Sequence, residues 1–201
     1  MTDIFYSFEG KIYINLTSHC PCRCVFCIRD SHEALGSASE LWHPHEPSWE
    51  EIAAAVERTD FTGQSELVFC GYGEPTCALE HLTRLSRLLR DKLPGIRLRL
   101  NTNGLSDLIH GRPTADELCQ VIDRFSISLN APNAARYNEI CRPRWGEESF
   151  EAMLAFARQC KDNGRQVAFS VVDVISPEEI EQCRALARDM GIPLRVRGYV
   201  A

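Results

Sequence analysis

The sequence has little of three things that would each have indicated a function. Its apolar runs all fall well short of the roughly 20 residues that a membrane-spanning helix needs. Basic residues are a minority, 22 Lys and Arg against 28 Asp and Glu, and the net charge of -6 disfavours nonspecific binding to nucleic acid or an anionic membrane. Repeats and low-complexity tracts are missing as well. With 201 residues, 44% of them hydrophobic, the chain is predicted to form one globular domain over residues 1–201.

The sequence also lacks the pattern of a secreted protein. The first residues, MTDIFYSFEGK, contain an early Asp and no apolar stretch of the length found in signal peptides. We therefore expect a cytoplasmic protein. The ten cysteines are then predicted to be reduced thiols rather than disulfides, because that compartment keeps thiols reduced.

Helical segments alternate with strand-like ones along the chain. Ser48 and Ser176 are typical N-caps, Leu residues recur at helical spacing over 81–93, and Gly164 and Gly191 follow the last turns of two further helices. Alternation of this kind predicts a parallel sheet with right-handed crossovers. Six units are too few to close an eight-stranded barrel, so the predicted fold is α/β, a partial (β/α)6 barrel with a curved parallel sheet. The six predicted strands are IYINLT (12–17), ELVFCG (66–71), RLRLNTNG (97–104), RFSISLN (124–130), VAFSVVDVI (167–175) and LRVRGYV (194–200).

Four cysteines lie in the nine residues HCPCRCVFC (19–27), just after the first predicted strand. A structural zinc site needs a second ligand pair, and His43 and His45 are too close in sequence to supply one. The spacing C-x3-C-x2-C of Cys20, Cys24 and Cys27 instead suits three thiolate ligands of a [4Fe–4S] cluster. The fourth iron would stay open for a ligand with amine and carboxylate groups. A zinc module and a non-catalytic iron–sulfur protein remain alternatives.

The cysteine motif resembles the signature of the radical S-adenosylmethionine (SAM) superfamily. Phe26, immediately before Cys27, occupies the aromatic position of C-x3-C-x-Φ-C. The resemblance implies that Cys20, Cys24 and Cys27 bind a [4Fe–4S] cluster, that Phe26 lies at the cofactor site, and that SAM binds the open iron. Cys22 falls outside the ligand spacing and is interpreted as a bystander or a thiol next to the ligands.

Segments after three further strands agree with this resemblance. Gly71-Tyr72-Gly73-Glu74-Pro75 is similar to the Gly-Gly-Glu-Pro segment that holds the amino group of SAM, although Tyr72 replaces the commoner Gly. The segment 101–104, with Asn101 and Asn103, resembles the TNG segment near the methionine and ribose of SAM. After the fourth strand, the resemblance assigns ribose or carboxylate contacts to polar residues on alternate positions. These are Ser126, Ser128 and Asn130.

The family resemblance also implies an activity. In such enzymes the reduced cluster cleaves SAM to a 5′-deoxyadenosyl radical, which takes a hydrogen atom from a substrate. An electron donor such as flavodoxin or ferredoxin is expected, with a small molecule or a protein as substrate. A glycyl-radical-activating enzyme and a non-catalytic redox protein are the alternatives. Within the superfamily, the segments YINLT, FCGYGEPTC, NTNG and SISLNAP are most similar to the small TatD-linked radical SAM proteins.

Several loop residues are candidates for substrate contacts or for buried packing. The loop 30–47 is long enough to act as a lid and carries His32, Trp42, His43 and His45. Cys141 is interpreted as a buried thiol or a hydrogen-atom donor, and Cys70 and Cys77 as buried thiols or a redox-sensitive pair. Four basic loop residues could form a rim that suits an anionic substrate. They are His110, Arg112, Arg142 and Arg144.

Overall fold

The structure of the protein is a computed structural model that describes residues 3–30 and 34–199. Seven strands form one sheet in the order of the chain, from β1 to β7. The first two are antiparallel and all later neighbours are parallel. The strands are β1 Phe5–Phe8, β2 Lys11–Ile14, β3 Glu66–Phe69, β4 Arg97–Thr102, β5 Arg124–Ser128, β6 Gln166–Val172 and β7 Leu194–Arg197.

The predicted fold class is confirmed, since the sheet is curved and mostly parallel and its edges do not close into a barrel. The six predicted strands correspond to β2–β7, but several of them end two or three residues earlier than the sequence indicated. Those last residues turn away from the sheet into the connecting loops. Residue 200, the end of the sixth predicted strand, lies outside the described residues.

The strand β1 was not predicted from the sequence. It pairs with β2 through a two-residue turn in which Glu9 and Gly10 both have positive φ, 47° and 75°. Such a turn matches the right-handed twist of the flanking strands. The sequence signal was present, because FYSF and KIYI are rich in aromatic and β-branched residues on either side of Glu9-Gly10.

The helices lie in the crossovers between the parallel strands. The predicted caps are confirmed: Ser48 and Ser176 each form a capping box, with Glu51 and Glu179 respectively. Two short helices between β4 and β5 were not predicted, and the segment 108–113, interpreted as a loop, begins within the first of them. The helices are α1 Trp49–Arg58, α2 Leu79–Lys92, α3 Ser106–His110, α4 Ala115–Val121, α5 Ala134–Cys141, α6 Glu148–Asp162 and α7 Pro177–Asp189, with single 3₁₀ turns at Ile28–Asp30 and Pro75–Ala78.

The hydrophobic core lies between the helices and one face of the sheet. Alternate strand residues such as Leu98, Leu100 and Ile127 are fully buried there. The residues between them point to the opposite surface, which we call the inner face. On β2–β7 it consists of Lys11, Tyr13, Glu66, Val68, Arg97, Arg99, Asn101, Arg124, Ser126, Ser128, Gln166, Ala168, Ser170, Val172, Arg195 and Arg197.

In the described part of the chain, none of the helices combines the length and the apolar character needed to span a lipid bilayer.

Candidate functional site

The candidate site lies at the edge of the sheet where the parallel strands β2–β5 end. Residues 15–27 follow β2, residues 70–75 follow β3, residues 103–104 follow β4, and residues 129–130 follow β5. Parallel strands bring their carboxyl ends to the same edge, which is where α/β sheets place their ligands. All the predicted cofactor segments therefore meet at one edge.

The four cysteines of residues 19–27 differ in exposure. Cys20, Cys24 and Cys27 are half-buried, whereas Cys22 is buried. A turn joins the last two predicted ligands, because the backbone N–H of Cys27 donates to the carbonyl of Cys24 at 3.2 Å. All ten cysteines are free thiols in the structure, so no disulfide competes for these sulfurs.

The cysteine loop is held against the end of α5. The N–H of Arg23 donates to the carbonyl of Cys141 at 3.0 Å, and the N–H of Val25 donates to Ile140 at 2.9 Å. In return, the N–H of Arg144 donates to the carbonyl of Pro21 at 3.0 Å. From the sequence, the segment 140–144 offered rim residues at Arg142 and Arg144 and a buried or hydrogen-donating thiol at Cys141. Its backbone in fact fixes the position of the predicted ligands.

Two buried thiols contact the predicted ligand thiols. Hydrogen bonding with Cys20 and Cys24 raises the pKa of Cys22, and hydrogen bonding with Cys24 raises that of Cys141. The same bonds lower the pKa of Cys24, with the bond from Cys141 as the larger cause and the bond from Cys22 as the smaller one. The bond with Cys22 also lowers the pKa of Cys20. For Cys27 the dominant cause is burial, which raises its pKa. Among the four cysteines of this loop, Cys20 and Cys24 are thus the two whose pKa is lowered.

Amide side chains also contact the two buried thiols. The Nδ2 of Asn103 donates to the sulfur of Cys22 at 3.7 Å, and the Nδ2 of Asn130 donates to that of Cys141 at 3.8 Å. Two residues predicted to contact SAM therefore lie directly against the cysteine cluster. Cys141 is buried within this network, as the packing interpretation expected.

The segment 71–75 packs directly onto the loop that carries the cysteines. The N–H of Glu74 donates to the carbonyl of His19 at 2.8 Å, and the N–H of Tyr72 donates to Oδ1 of Asn15 at 3.4 Å. A methyl group at Gly71 would overlap the side chain of Asn15. Glycine is therefore required here for a close approach between two chain segments.

We predict that Gly73→Ala displaces the cysteine loop. The added Cβ would overlap the carbonyl oxygen of Thr17 and lie 2.7 Å from that of His19, and both are backbone atoms that cannot rotate away. A loss of about 2–3 kcal/mol in the free energy of unfolding is expected, measured by urea denaturation under anaerobic conditions. Gly198→Ala is the matched control, because the methyl group it adds would have no other atom within 4 Å. Equal stability of the two variants would contradict the prediction.

The carboxylate of Glu74 connects three segments of the site. Its Oε1 accepts hydrogen bonds from the N–H of Thr76 at 3.1 Å, the hydroxyl of Thr76 at 2.8 Å and the hydroxyl of Thr102 at 2.7 Å. Its Oε2 accepts from the N–H of Asn103 at 2.7 Å. Burial raises the pKa of Glu74, while these hydrogen bonds act in the opposite direction. The side chain thus ties the segment after β3 to the segment after β4.

Polar residues at the ends of β4 and β5 leave acceptor atoms unused. Asn101 and Ser126 are neighbours across the two strands, and Ser128 lies beside Ser170 of β6. Asn130, 5% exposed, follows β5 with a positive φ of 55°. Within the described residues, the buried Oδ1 atoms of Asn101 and Asn130 have no hydrogen-bond partner. Such atoms fit a site that binds a polar ligand, because buried polar groups are otherwise almost always paired.

The sequence profile of the Radical SAM superfamily matches residues 14–190 of the chain. The chain belongs to this superfamily. The match runs from the last residue of β2 to the residue after α7 and so includes every segment of the site described above. It confirms the predicted superfamily, and with it an enzyme family that works with SAM and an iron–sulfur cluster.

Individual members of the radical SAM superfamily resemble the chain over most of its length. The GTP 3′,8-cyclase of Bradyrhizobium diazoefficiens is 29% identical over 170 residues, which cover 81% of this chain and 46% of the cyclase. The chain thus spans about half the length of this curated relative.

Solved structures share the fold at low sequence identity. A radical SAM methyltransferase from Sphaerobacter thermophilus has a TM-score of 0.64 at 19% identity, covering 96% of this chain and 68% of the methyltransferase. The enzyme anSMEcpe, with bound AdoMet and Cp18Cys peptide, has a TM-score of 0.66 at 18% identity, covering 94% and 50%. At these identities, the structural similarity shows a shared fold and nothing about function.

The cysteine motif of this radical SAM protein differs from the site of a single metal ion. In residues 3–30 and 34–199, no three His, Cys, Asp or Glu side chains are grouped as ligands of one ion. The ligands of a [4Fe–4S] cluster do not need to converge on one ion, because each thiolate binds a separate iron. Three soft sulfur donors on one loop, with no carboxylate among them, fit such a cluster. Phe26, half-buried beside Cys27, packs against the core.

Trp42, in the loop predicted over 30–47, packs against the segment after β3. The Trp42 ring meets the Tyr72 ring edge-on at 5.5 Å, and the guanidinium of Arg29 lies 5.7 Å from the Trp42 ring centre. The ring of His43 contacts the carbonyl of Asn15 at 3.0 Å, whereas His45 contacts Glu51 at 3.2 Å. His43 and His45 therefore contact different parts of the protein. His32 lies outside the described residues.

A cavity of about 830 Å³ opens beside Cys20. Of the four basic residues predicted to form a rim, Arg142 and Arg144 line it. The other two do not: the ring of His110 contacts the carbonyl of Thr76 at 2.8 Å, and Arg112 pairs with Glu117 at 2.8 Å. The predicted rim is corrected accordingly, because α3 and the turn after it direct those side chains to intramolecular partners.

Cys70 and Cys77 occupy different surroundings. Cys77 lines the cavity beside Cys20. Burial raises the pKa of Cys70, which hydrogen-bonds Asn101 on the inner face. The two thiols thus face different parts of the molecule.

Proposed function

We propose that the protein is a radical SAM enzyme with a [4Fe–4S] cluster held by Cys20, Cys24 and Cys27. One observation carries this proposal. The cysteine loop, the segment after β3 and the segment after β4 form a single hydrogen-bonded unit through His19, Glu74 and Asn103. A family cysteine motif joined in this way to the two segments expected at SAM is difficult to explain by packing alone.

We propose that SAM is held at this edge by residues of four strand ends. The unpaired Oδ1 atoms of Asn101 and Asn130 support this assignment. Since the carboxylate of Glu74 already accepts four hydrogen bonds from the protein, its part is to position Asn103 and the backbone around Gly73. The proposed SAM-site residues are Phe26, Gly71, Tyr72, Gly73, Glu74, Asn101, Asn103, Ser126, Ser128 and Asn130.

When bound, the cluster and SAM supply a one-electron cleavage that generates a 5′-deoxyadenosyl radical for hydrogen abstraction from a substrate. The protein's contribution is to bind, orient and shield. Buried Cys22 and Cys141 cover part of the sulfurs of Cys20 and Cys24 and shield that side from water. The partly apolar surroundings of Phe26 act in the same sense, since solvent exposure and hydrogen bonds to sulfur set the potential of such centres.

The subgroup, the domain organisation, the compartment and the electron donor of the protein are part of the same proposal. We place the chain with the small TatD-linked group on the segments YINLT, FCGYGEPTC, NTNG and SISLNAP. Residues 1–201 act as one core domain, in the cytoplasm, with an electron donor such as flavodoxin or ferredoxin.

The test is the formation of 5′-deoxyadenosine. The protein is reconstituted anaerobically with iron and sulfide, then mixed with SAM and dithionite, and the product is quantified by liquid chromatography and mass spectrometry. We expect product well above that of a Cys24→Ala variant treated identically. A fully loaded, SAM-binding protein that yields no more than this variant would refute the activity. Zinc without iron in anaerobically purified protein would refute the cluster.

A further inference from the structure

The inner face of the sheet carries an unusual number of cationic side chains. On β4, Leu98 and Leu100 point into the core, so Arg97 and Arg99 point to the inner face. The same alternation places one or two cations on each of three other strands. The full set is Lys11, Arg97, Arg99, Arg124, Arg195 and Arg197. The chain as a whole has a net charge of -6, so this face concentrates the minority charge.

A single buried carboxylate balances part of this charge. Glu66, 4% exposed, pairs with Lys11 at 2.7 Å, with Arg124 at 3.0 Å and with Arg99 at 3.7 Å. These contacts hold the three cations in place at the base of the face. Within the described residues, the three remaining cations of the face form no ion pair. They are Arg97, Arg195 and Arg197.

Two arginines of the inner face act electrostatically on Cys70. The charges of Arg197 and Arg99 both oppose the rise that burial causes in the pKa of Cys70. Arg99 lies on β4 and Arg197 on β7, three strands away in the sheet. Arg99 Nε and the neighbouring Asn101 Oδ1 are buried and, among the described residues, have no hydrogen-bond partner.

We infer that the inner face binds the phosphate or carboxylate group of a small-molecule substrate, with Arg197, which forms no ion pair within the described residues, as one of the cations that bind the anion. This inference rests on the proposed function, because Asn101 and Ser126, assigned to SAM, share the same face. The guanidinium fork matches both anions through paired hydrogen bonds. The concave shape and the overall negative charge favour a small molecule over a nucleic acid.

The test measures anion binding directly. Purified protein without SAM is titrated with tripolyphosphate, with citrate and with a single-stranded DNA oligonucleotide, by calorimetry at low ionic strength. Arg197→Gln is expected to weaken binding of the preferred small anion about tenfold, the effect of one charged hydrogen-bonding group. Arg197 is exposed, so this substitution should leave folding unchanged. Arg158→Gln, which removes the same charge from an exposed position on α6, is expected to change affinity less than twofold.

The outcomes separate the possible ligands. Tighter binding of tripolyphosphate indicates a phosphorylated substrate, and tighter binding of citrate indicates a carboxylated one. The inference fails if neither anion binds, if both variants lose affinity equally, or if the oligonucleotide binds most tightly and depends on Arg197.

Repeating the titration with Cys24→Ala separates this inference from the proposed function. That variant should lose 5′-deoxyadenosine formation and keep its anion affinity, since Cys24 is not part of the inner face. Normal anion binding by a protein that never cleaves SAM would overturn the proposed function alone. Normal SAM cleavage without anion binding would overturn the inference alone.

Discussion

Alanine at Cys27 is expected to reduce the iron of anaerobically purified protein from about four atoms per chain to near zero, while alanine at Cys22 leaves it unchanged. Cys27 is assigned as a ligand from the motif spacing, whereas Cys22 is buried and already hydrogen-bonded to Asn103. Removing one of three ligands leaves the cluster without a stable attachment. Iron and sulfide analysis, with the absorbance and the electron paramagnetic resonance spectrum of the reduced protein, measures the difference.

Cys141→Ala distinguishes the assigned ligands from another set. The thiols of Cys20, Cys22, Cys24 and Cys141 interact with one another in the structure, so these four could form a different site. In that case Cys141→Ala and Cys22→Ala would lose the metal and Cys27→Ala would retain it. We expect the reverse pattern, with iron retained in both the Cys22 and the Cys141 variants.

Glu74→Ala is expected to lower the free energy of unfolding by about 3 kcal/mol or more, because it leaves several buried donors unpaired. The hydroxyls of Thr76 and Thr102 and the N–H of Asn103 all lose their acceptor. The stability of Glu74→Gln should lie between those of the wild type and of Glu74→Ala. Glutamine retains one acceptor oxygen, but its NH2 group would face a group that is itself a hydrogen-bond donor. Chemical denaturation followed by circular dichroism gives the values.

Glu80→Ala is the control for this prediction. Glu80 is exposed in the first turn of α2, six residues along the chain, and its loss should change stability by no more than about 0.5 kcal/mol. If Glu74→Ala is as stable as Glu80→Ala, the carboxylate does not hold the two segments together. Because Asn103 depends on this link, 5′-deoxyadenosine formation should also fall in Glu74→Ala, even at temperatures where it remains folded.

Local sequence information predicted the long helices of the crossovers well, but it missed the edge strand β1 and the short helix α3. Caps at Ser48 and Ser176 and the apolar periodicity of the helices act over a few residues, so a single segment reveals them. The hairpin of β1 carried a weaker signal, since FYSF is only four residues long. The short helix α3 was missed because its five residues are too few to show a helical period.

The site was predictable in its chemistry and not in its contacts. Motif spacing selected Cys20, Cys24 and Cys27, and strand ends selected the polar segments around them. The structural role of residues 140–144 could not be predicted from motif spacing or strand ends. Their backbone hydrogen-bonds the cysteine loop, as in the bond from Arg23 to Cys141, and the two segments are more than 110 residues apart in the chain. Cys141 likewise joins the thiol group only through folding.

The sequence by itself therefore determined the superfamily, the α/β alternation and the candidate ligands, because each depends on residue types at short, fixed spacings. Tertiary structure alone decided that Glu74 links two strand ends, that Cys22 and Cys141 contact thiols predicted to be ligands, and that cations from four strands share one face. Each of these depends on the register and curvature of the sheet, which bring together side chains that are far apart in the chain.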